Sequence, residues 1–205
     1  MTRTLIALLA AGALLLAGCS GEDPPSTTGT PTTEATTNET PTTEAGAADA
    51  LLADHGLEAM GTRDLIDHLD RLPGPERPTD IIASVRADTL MISDGQVEAH
   101  RPIDGDEFYL SFAPYIDHTH ECFYHSLTTC QGELANAEMQ VSIVGDDGEV
   151  FVDEVMETFD NGFIGVWLPA DITATLHVEY DGLSLTEQIG TDHESPTCLT
   201  TGQLA

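Results

Sequence analysis

The chain has 205 residues and carries 36 acidic against six basic side chains, a formal net charge of −30, with no lysine. Phosphate binding needs a basic surface, so this balance excludes nucleic acid as a partner. A densely acidic surface stays soluble in high salt, and the acidity reports habitat more than activity.

Met1, Thr2 and Arg3 form a short basic start before an apolar run over residues 5–16. That run is too short to span a bilayer and has the flanks of a signal peptide. It ends in Leu16-Ala17-Gly18-Cys19, which resembles the lipobox of bacterial lipoproteins. The expectation is a signal peptide over residues 1–18 and a lipidated Cys19. The membrane is then a partner through a lipid anchor, and the chain sits in the extracytoplasmic cell envelope on the outer face of the cell membrane. Residues 19–45 are rich in Thr, Pro and Glu and nearly free of apolar side chains. They cannot bury enough surface to offset ordering entropy, which predicts a disordered tether.

The predicted fold class is α+β. Residues 46–103 form a small unit of helices and antiparallel sheet, and residues 104–205 a β-sandwich-like domain. Residues 47–55 read as a helix ended by Gly56; a second helix, capped by Thr62, repeats Leu65, Ile66, Leu69 and Leu72 on one face before Pro73 stops it. His55 and His68 fall on these helices without a cysteine or histidine at ligand spacing, so they read as surface or capping residues. Strands are expected at 81–85, 89–92 and 96–100, the last two joined by Ser93-Asp94-Gly95. The core of this unit is modest, so it should lean on its neighbour or on another copy.

Beyond residue 104 the pattern is almost wholly β, with strands at 108–114, 139–144, 149–155, 163–168, 173–180 and 183–189. Asp147-Gly148 and Asp181-Gly182 supply turns, and regular short strands joined this way argue for a sandwich. Trp167, the single tryptophan, is expected in its core.

His118, His120, Cys122, His125 and Cys130 crowd into the connection after the first of these strands, and Cys198 waits near the C-terminus. Imidazole and thiolate suit copper(I) and zinc, whereas calcium wants oxygen. Cys122 and Cys130 are separated by seven residues, too many for a CxxC motif and suited to the two ends of a folded-back loop. In an extended segment His118 and His120 face one side. His125 reaches an ion between the thiols only if the loop curls inward, and only the folded sandwich can bring Cys198 close. Three thiolates, or two with an imidazole, give copper(I) a low-coordinate soft site; zinc would add a fourth ligand. A Cys122–Cys130 disulfide with incidental histidines is the alternative, because the compartment is oxidising. Thiols there could also pass electrons to copper(II).

The runs FYLSFAPYIDHTHECFYHSLTTCQGEL, FDNGFIGVWLP, TLHVEYDG and PTCLTT closely resemble the CueP family of bacterial periplasmic copper-binding proteins. The resemblance covers about residues 81–204 and weakens over 46–72. It implies copper resistance, with copper held as Cu(I) by Cys122, Cys130 and Cys198, and with His118, His120 and His125 as supporting ligands. It also implies reduction of Cu(II), delivery to a copper-accepting enzyme such as a Cu,Zn superoxide dismutase, and a homodimer. The lipobox and tether depart from the Gram-negative pattern, which favours storage or detoxification over delivery to a particular enzyme. Two other classes compete: a thiol-disulfide redox protein, which would turn over without copper, and a disulfide-bonded structural β-sandwich lipoprotein, which would bind metal weakly. Hydrolysis finds no support, since Ser126 beside His125 makes no triad and no GxSxG elbow exists.

Overall fold

The computed structural model describes residues 44–205. The expected signal peptide, Cys19 and all but the end of the expected tether lie outside the described residues. The described residues are α+β, with two α-helices, α1 (Glu44–Ala53) and α2 (Thr62–Arg71), a short 3-10 turn at Gly74–Glu76 and ten strands. Among the described residues no helix is long and apolar enough to cross a membrane.

Helix α1 takes in Glu44 and Ala45, which composition alone leaves with the tether. Its Ala48 and Leu52 are fully buried, and Gly56, at φ +68, ends the helical segment in a left-handed turn that costs glycine little. In α2 the buried face is Leu65, Ile66, Leu69 and Asp70. The expected cap differs: Gly61 is the N-cap, Thr62 is the first helical residue, and no side chain caps the helix.

Strands β1 (Ile82–Val85), β2 (Thr89–Ser93) and β3 (Glu98–Pro102) form an antiparallel meander. Asp94 Oδ1 accepts from the Gln96 and Val97 N–H groups, each at 2.8 Å, and closes the β2–β3 turn. A second sheet has the order β10-β4-β7, with β4 (Glu107–Phe112) antiparallel to β7 (Ile164–Pro169) and parallel to the short β10 (Cys198–Leu199). The third is antiparallel in the order β6-β5-β8-β9, built from β5 (Glu138–Gly145), β6 (Val150–Glu157), β8 (Thr173–Tyr180) and β9 (Leu183–Gly190). The Asp181-Gly182 turn between β8 and β9 has positive φ at both residues, as a two-residue hairpin requires.

Alternation along β4 and β7 decides the layering. Phe108, Leu110, Phe112, Ile164, Val166 and Leu168 face the four-stranded sheet and pack on Met139, Val141, Ile143, Leu176 and Val178. Each such burial contributes about 1.5–3 kcal/mol. The intervening residues face the other way, so Tyr109 and the half-buried Trp167 join the cluster of Leu65, Ile66, Leu69, Leu90 and Ile92. Trp167 is therefore not in the sandwich core. Its Nε1–H donates to Asp67 Oδ1 at 3.0 Å, and its ring lies 4.8 Å from Tyr109 and under Arg63. The core of the helices and the first sheet is completed by Tyr109, Leu127 and Trp167. The sheet β10-β4-β7 is thus a middle layer, covered on both faces, and the ligand-rich connection lies against its β10 edge.

Candidate metal centre

The connection between β4 and β5 is irregular yet tied down by backbone. Val85 N–H donates to His125 O and Leu127 N–H to Ala83 O, both at 2.8 Å, so residues 125–127 run along β1. The segment before β10 holds the other side: Thr197 and Cys198 N–H donate to Phe123 O at 3.0 and 3.1 Å. Thr197 Oγ1 accepts from His125 N–H at 3.0 Å and donates to Val85 O at 2.7 Å. A turn then brings Cys130 back: its N–H reaches Ser126 O at 3.0 Å, and the Ser126 N–H meets its sulfur at 3.3 Å. Gly132 and Gly162 make this fold possible, because a Cβ on Gly132 would lie 2.7 Å from Gly162 O.

Ser111 N–H donates to Thr197 O and Ala113 N–H to Leu199 O, each at 2.9 Å, which hangs Cys198 on β4. The three cysteines among the described residues are free thiols, and Cys122, Cys130 and Cys198 share a cluster with Ala113 and the buried Phe163. Their donors fall into two groups, His120 with Cys122 and Cys130, and His125 with Cys130 and Cys198; within each, the ligand atoms lie within 4.8 Å of one another. Cys130 belongs to both. The first group runs from exposed to buried, and the second is buried throughout.

The spacing fits a small soft ion. Metal–nitrogen and metal–sulfur bonds of about 2.0–2.3 Å put donors in a trigonal plane about 3.5–4 Å apart. Cys122 and Cys130 sulfurs are 3.6 Å apart, and Cys198 Sγ is 3.8 Å from His125 Nδ1. Neither group contains all three sulfurs, so each offers two thiols and one imidazole.

His118 is in neither group. Its exposed ring pairs with a Glu133 carboxylate oxygen at 3.3 Å, and Glu133 also accepts from the Ile116 and Asp117 N–H groups. Residues 118–122 form no strand, and the Glu133 pair leaves the His118 ring outside both groups. His55 lies 3.3 Å from Asp80 and His68 is exposed; neither joins a group.

His125 is completely buried on the Phe163 ring, with centroids 4.5 Å apart. Its Nε2 lies 2.8 Å from Asp70 Oδ1, which directs Nδ1 toward the thiols. Asp70 is also fully buried and accepts from Tyr109 Oη at 2.6 Å and from Asn161 Nδ2 at 2.8 Å. Burial opposes its charge, but His125, Tyr109 and Asn161 outweigh burial and hold its carboxyl below the ordinary range. Burial likewise opposes the His125 imidazolium, yet the Asp70 carboxylate beside it raises His125 to about 9.

Among the thiols Cys130 is the one driven toward the thiolate. The Cys122 and Cys198 thiols point at its sulfur and, with His125, lower it against burial. Cys122 is pushed up to about 12 by its contact with Cys130, and Cys198 is raised by Cys122, Cys130 and burial. Behind Cys130 the buried Arg77 donates from Nη1 to the Cys130 carbonyl at 2.9 Å.

A family model described as Periplasmic copper-binding protein CueP matches residues 64–203. The chain belongs to that family. A solved structure titled "Crystal Structure of S.CueP" is 42% identical over 78% of this chain and 98% of that chain, with a TM-score of 0.72. No curated protein matches the chain. CueP membership supports copper as the ion of these Cys/His groups and the extracytoplasmic envelope as their location.

Asp70 and Arg77 escape the sequence reading. Asp70 has one visible signal: it lies four residues after Ile66, which puts a carboxylate on the apolar face of α2. Arg77 sits in a turn-rich stretch whose sequence gives no sign that its side chain is buried.

Proposed function

We propose that this chain captures copper in the cell envelope and holds it as Cu(I) through Cys122, Cys130 and Cys198, with His120 and His125 as nitrogen donors, in the service of copper resistance. One observation carries the reading: Cys130 is the common member of two compact groups, each of two thiols and one imidazole. Two sulfurs and a nitrogen suit the low coordination number of Cu(I), while zinc would need a fourth donor to complete its tetrahedron. The lipidated Cys19 would keep the captured ion at the outer face of the membrane.

Anaerobic titration of the reduced chain with Cu(I) against a competing chelator tests this reading. Binding of one equivalent that is lost in Cys130→Ser is expected; a chain that never competes with the chelator for Cu(I) overturns it and favours the disulfide-bonded module.

The 3.6 Å approach of Cys122 and Cys130 favours a second activity at the same place. Two Cu(II) ions would each take one electron from this pair, the Cys130 thiolate and the Cys122 thiol, giving two Cu(I), one Cys122–Cys130 disulfide and one released proton, that of Cys122. Counting free thiols after anaerobic addition of Cu(II) tests it: two are lost for every two Cu(I) formed, and unchanged thiols exclude it. Delivery onward, to an enzyme such as a Cu,Zn superoxide dismutase, is supported by the exposed His120 side of the first group.

A further inference from the structure

The two groups differ in access as well as in membership. His120 is exposed and Cys122 is half-buried, and both line an open cleft of about 320 Å³ together with Tyr115, Thr119, Thr200 and Thr201. The backbone holds this outer side in place: Thr200 Oγ1 donates to His120 O at 2.6 Å, and Thr119 Oγ1 donates to Thr200 O at 2.7 Å. On the inner side His125 and Cys198 have relative exposures of 0% and 1%, and His125 is fixed from behind by Asp70. Phe163 packs against both imidazoles, 6.3 Å from the His120 ring and 4.5 Å from that of His125, so it floors the space between them.

Resting on the copper reading above, we propose that these are two successive stations for one Cu(I) ion: an outer one of His120, Cys122 and Cys130 that exchanges copper with the surroundings, and an inner one of His125, Cys130 and Cys198 that retains it. Cys130 stays bound throughout, so the ion is never released to water. Passage inward is a ligand exchange without electron transfer. The bonds from copper to His120 nitrogen and Cys122 sulfur break, and bonds to Cys198 sulfur and His125 Nδ1 form. Cys198 gives up its thiol proton and His125 its Nδ1 proton, while Cys122 takes one and the other leaves to solvent through the cleft, so charge and protons balance. The order follows from burial: His120 and Cys122 face the cleft, and an ion reaches the enclosed His125 and Cys198 only past the outer group, with which they share Cys130. His120 is then a residue of rate and His125 a residue of retention.

The test separates rate from affinity in the full, reduced chain. Cu(I) affinity is read by competition with a chromogenic chelator, and release is read by stopped flow after adding chelator in excess. In His120→Ala both uptake and release slow by at least about tenfold, the low end of what losing a metal-site partner costs, and the loss of affinity is smaller than the loss that the same substitution causes when Cys198→Ser is also present. Cys198→Ser still binds one equivalent, more weakly and with faster release, because the outer station remains. Adding His120→Ala to Cys198→Ser then lowers affinity by at least about tenfold, a larger loss than when Cys198 is intact. X-ray absorption gives an independent reading: copper in Cys198→Ser keeps a nitrogen neighbour that disappears in the double variant. Two outcomes overturn the two stations while leaving copper binding standing. In one, Cys198→Ser abolishes binding; in the other, His120→Ala lowers affinity equally with and without Cys198. Absence of Cu(I) binding in the unaltered chain would instead remove the copper reading itself.

Discussion

Asp70 Oδ1 lies 2.8 Å from His125 Nε2, and neither side chain is reached by solvent. The pair ties the last turn of α2 to the connection that carries the ligands, and it fixes which imidazole nitrogen faces the sulfurs. Breaking one side of a buried pair leaves the other charge uncompensated, a loss of about 3–5 kcal/mol. Asp70→Ala is therefore expected to unfold at much lower denaturant than the unaltered chain. Asp70→Asn keeps an acceptor for His125 and is milder, but it removes the charge that orients and strengthens the ligand. Its Cu(I) affinity should fall by about 10–100-fold in chelator competition. An Asp70→Asn chain with unchanged affinity would show that Asp70 acts on folding alone.

The same pair sets a pH dependence for the metal-free chain. His125 rises from 6.5 to about 9 on folding, so its contribution is complete below pH 6.5 and is lost as pH rises through about 9. Asp70 is lowered from 3.8, so its contribution is present above that value and is lost as pH falls below it. Between pH 6.5 and 9 the unaltered chain should lose stability on the order of 2–3 kcal/mol relative to His125→Gln. Urea unfolding of both chains across that range measures the difference, and parallel pH profiles would deny His125 its charge.

Several strands of this fold are legible because they alternate, as β5, β8 and β9 do, or lead into Asp-Gly turns, as β2, β5 and β8 do. Residues 173–180 and 183–190 are the plainest, one face apolar and one polar, and the pattern at 108–112 also marks a strand. That segment misleads about neighbours, however. Tyr109 and Trp167 look like sandwich residues until the layer beyond them is known, and a sheet covered on both faces cannot be told from one covered on one. β10 is two residues long and exists only because β4 offers it an edge, so its sequence carries no strand signal. At the site, ligand types and their crowding are visible in the chain. Their division is not, because it depends on the turn from Ser126 to Cys130 and on Glu133 drawing His118 away. Asp70 could have been found as an acid on an apolar helix face.

Gly165 is where the middle layer leaves room for that acid. A Cβ there would lie 1.8 Å from Tyr109 Oη and 3.0 Å from Asp70 Oδ2. Tyr109 is fully packed and its hydroxyl is committed to Asp70 at 2.6 Å, so neither can yield cheaply. Gly165→Ala should cost about 1–3 kcal/mol or more by overpacking, read as a lower thermal midpoint. Adding Tyr109→Phe removes the clashing hydroxyl and should recover part of that loss. A double variant no more stable than Gly165→Ala alone would place the strain elsewhere.

Cys130 is expected to be the single thiolate among the three thiols of the metal-free site at neutral pH. Its sulfur accepts the Ser126 N–H, lies 3.6 Å from the Cys122 sulfur and has the His125 imidazolium beside it. Cys122 and Cys198 are driven the other way, since a second negative charge so close would repel the first. Thiolate absorbance in the ultraviolet should therefore show about one ionised sulfur per reduced, metal-free chain near pH 7, where ordinary cysteines would show almost none. Cys130→Ser should abolish that absorbance, and Cys122→Ser should leave most of it. Arg77, whose guanidinium holds the Cys130 carbonyl, supports the same charge from behind. Arg77→Met should shift the thiolate titration toward higher pH, while Arg77→Lys, which restores the charge without the planar fork, should return it part of the way. If the absorbance at neutral pH survives in Cys130→Ser, the charge rests on another sulfur, and the shared position of Cys130 loses its electrostatic basis.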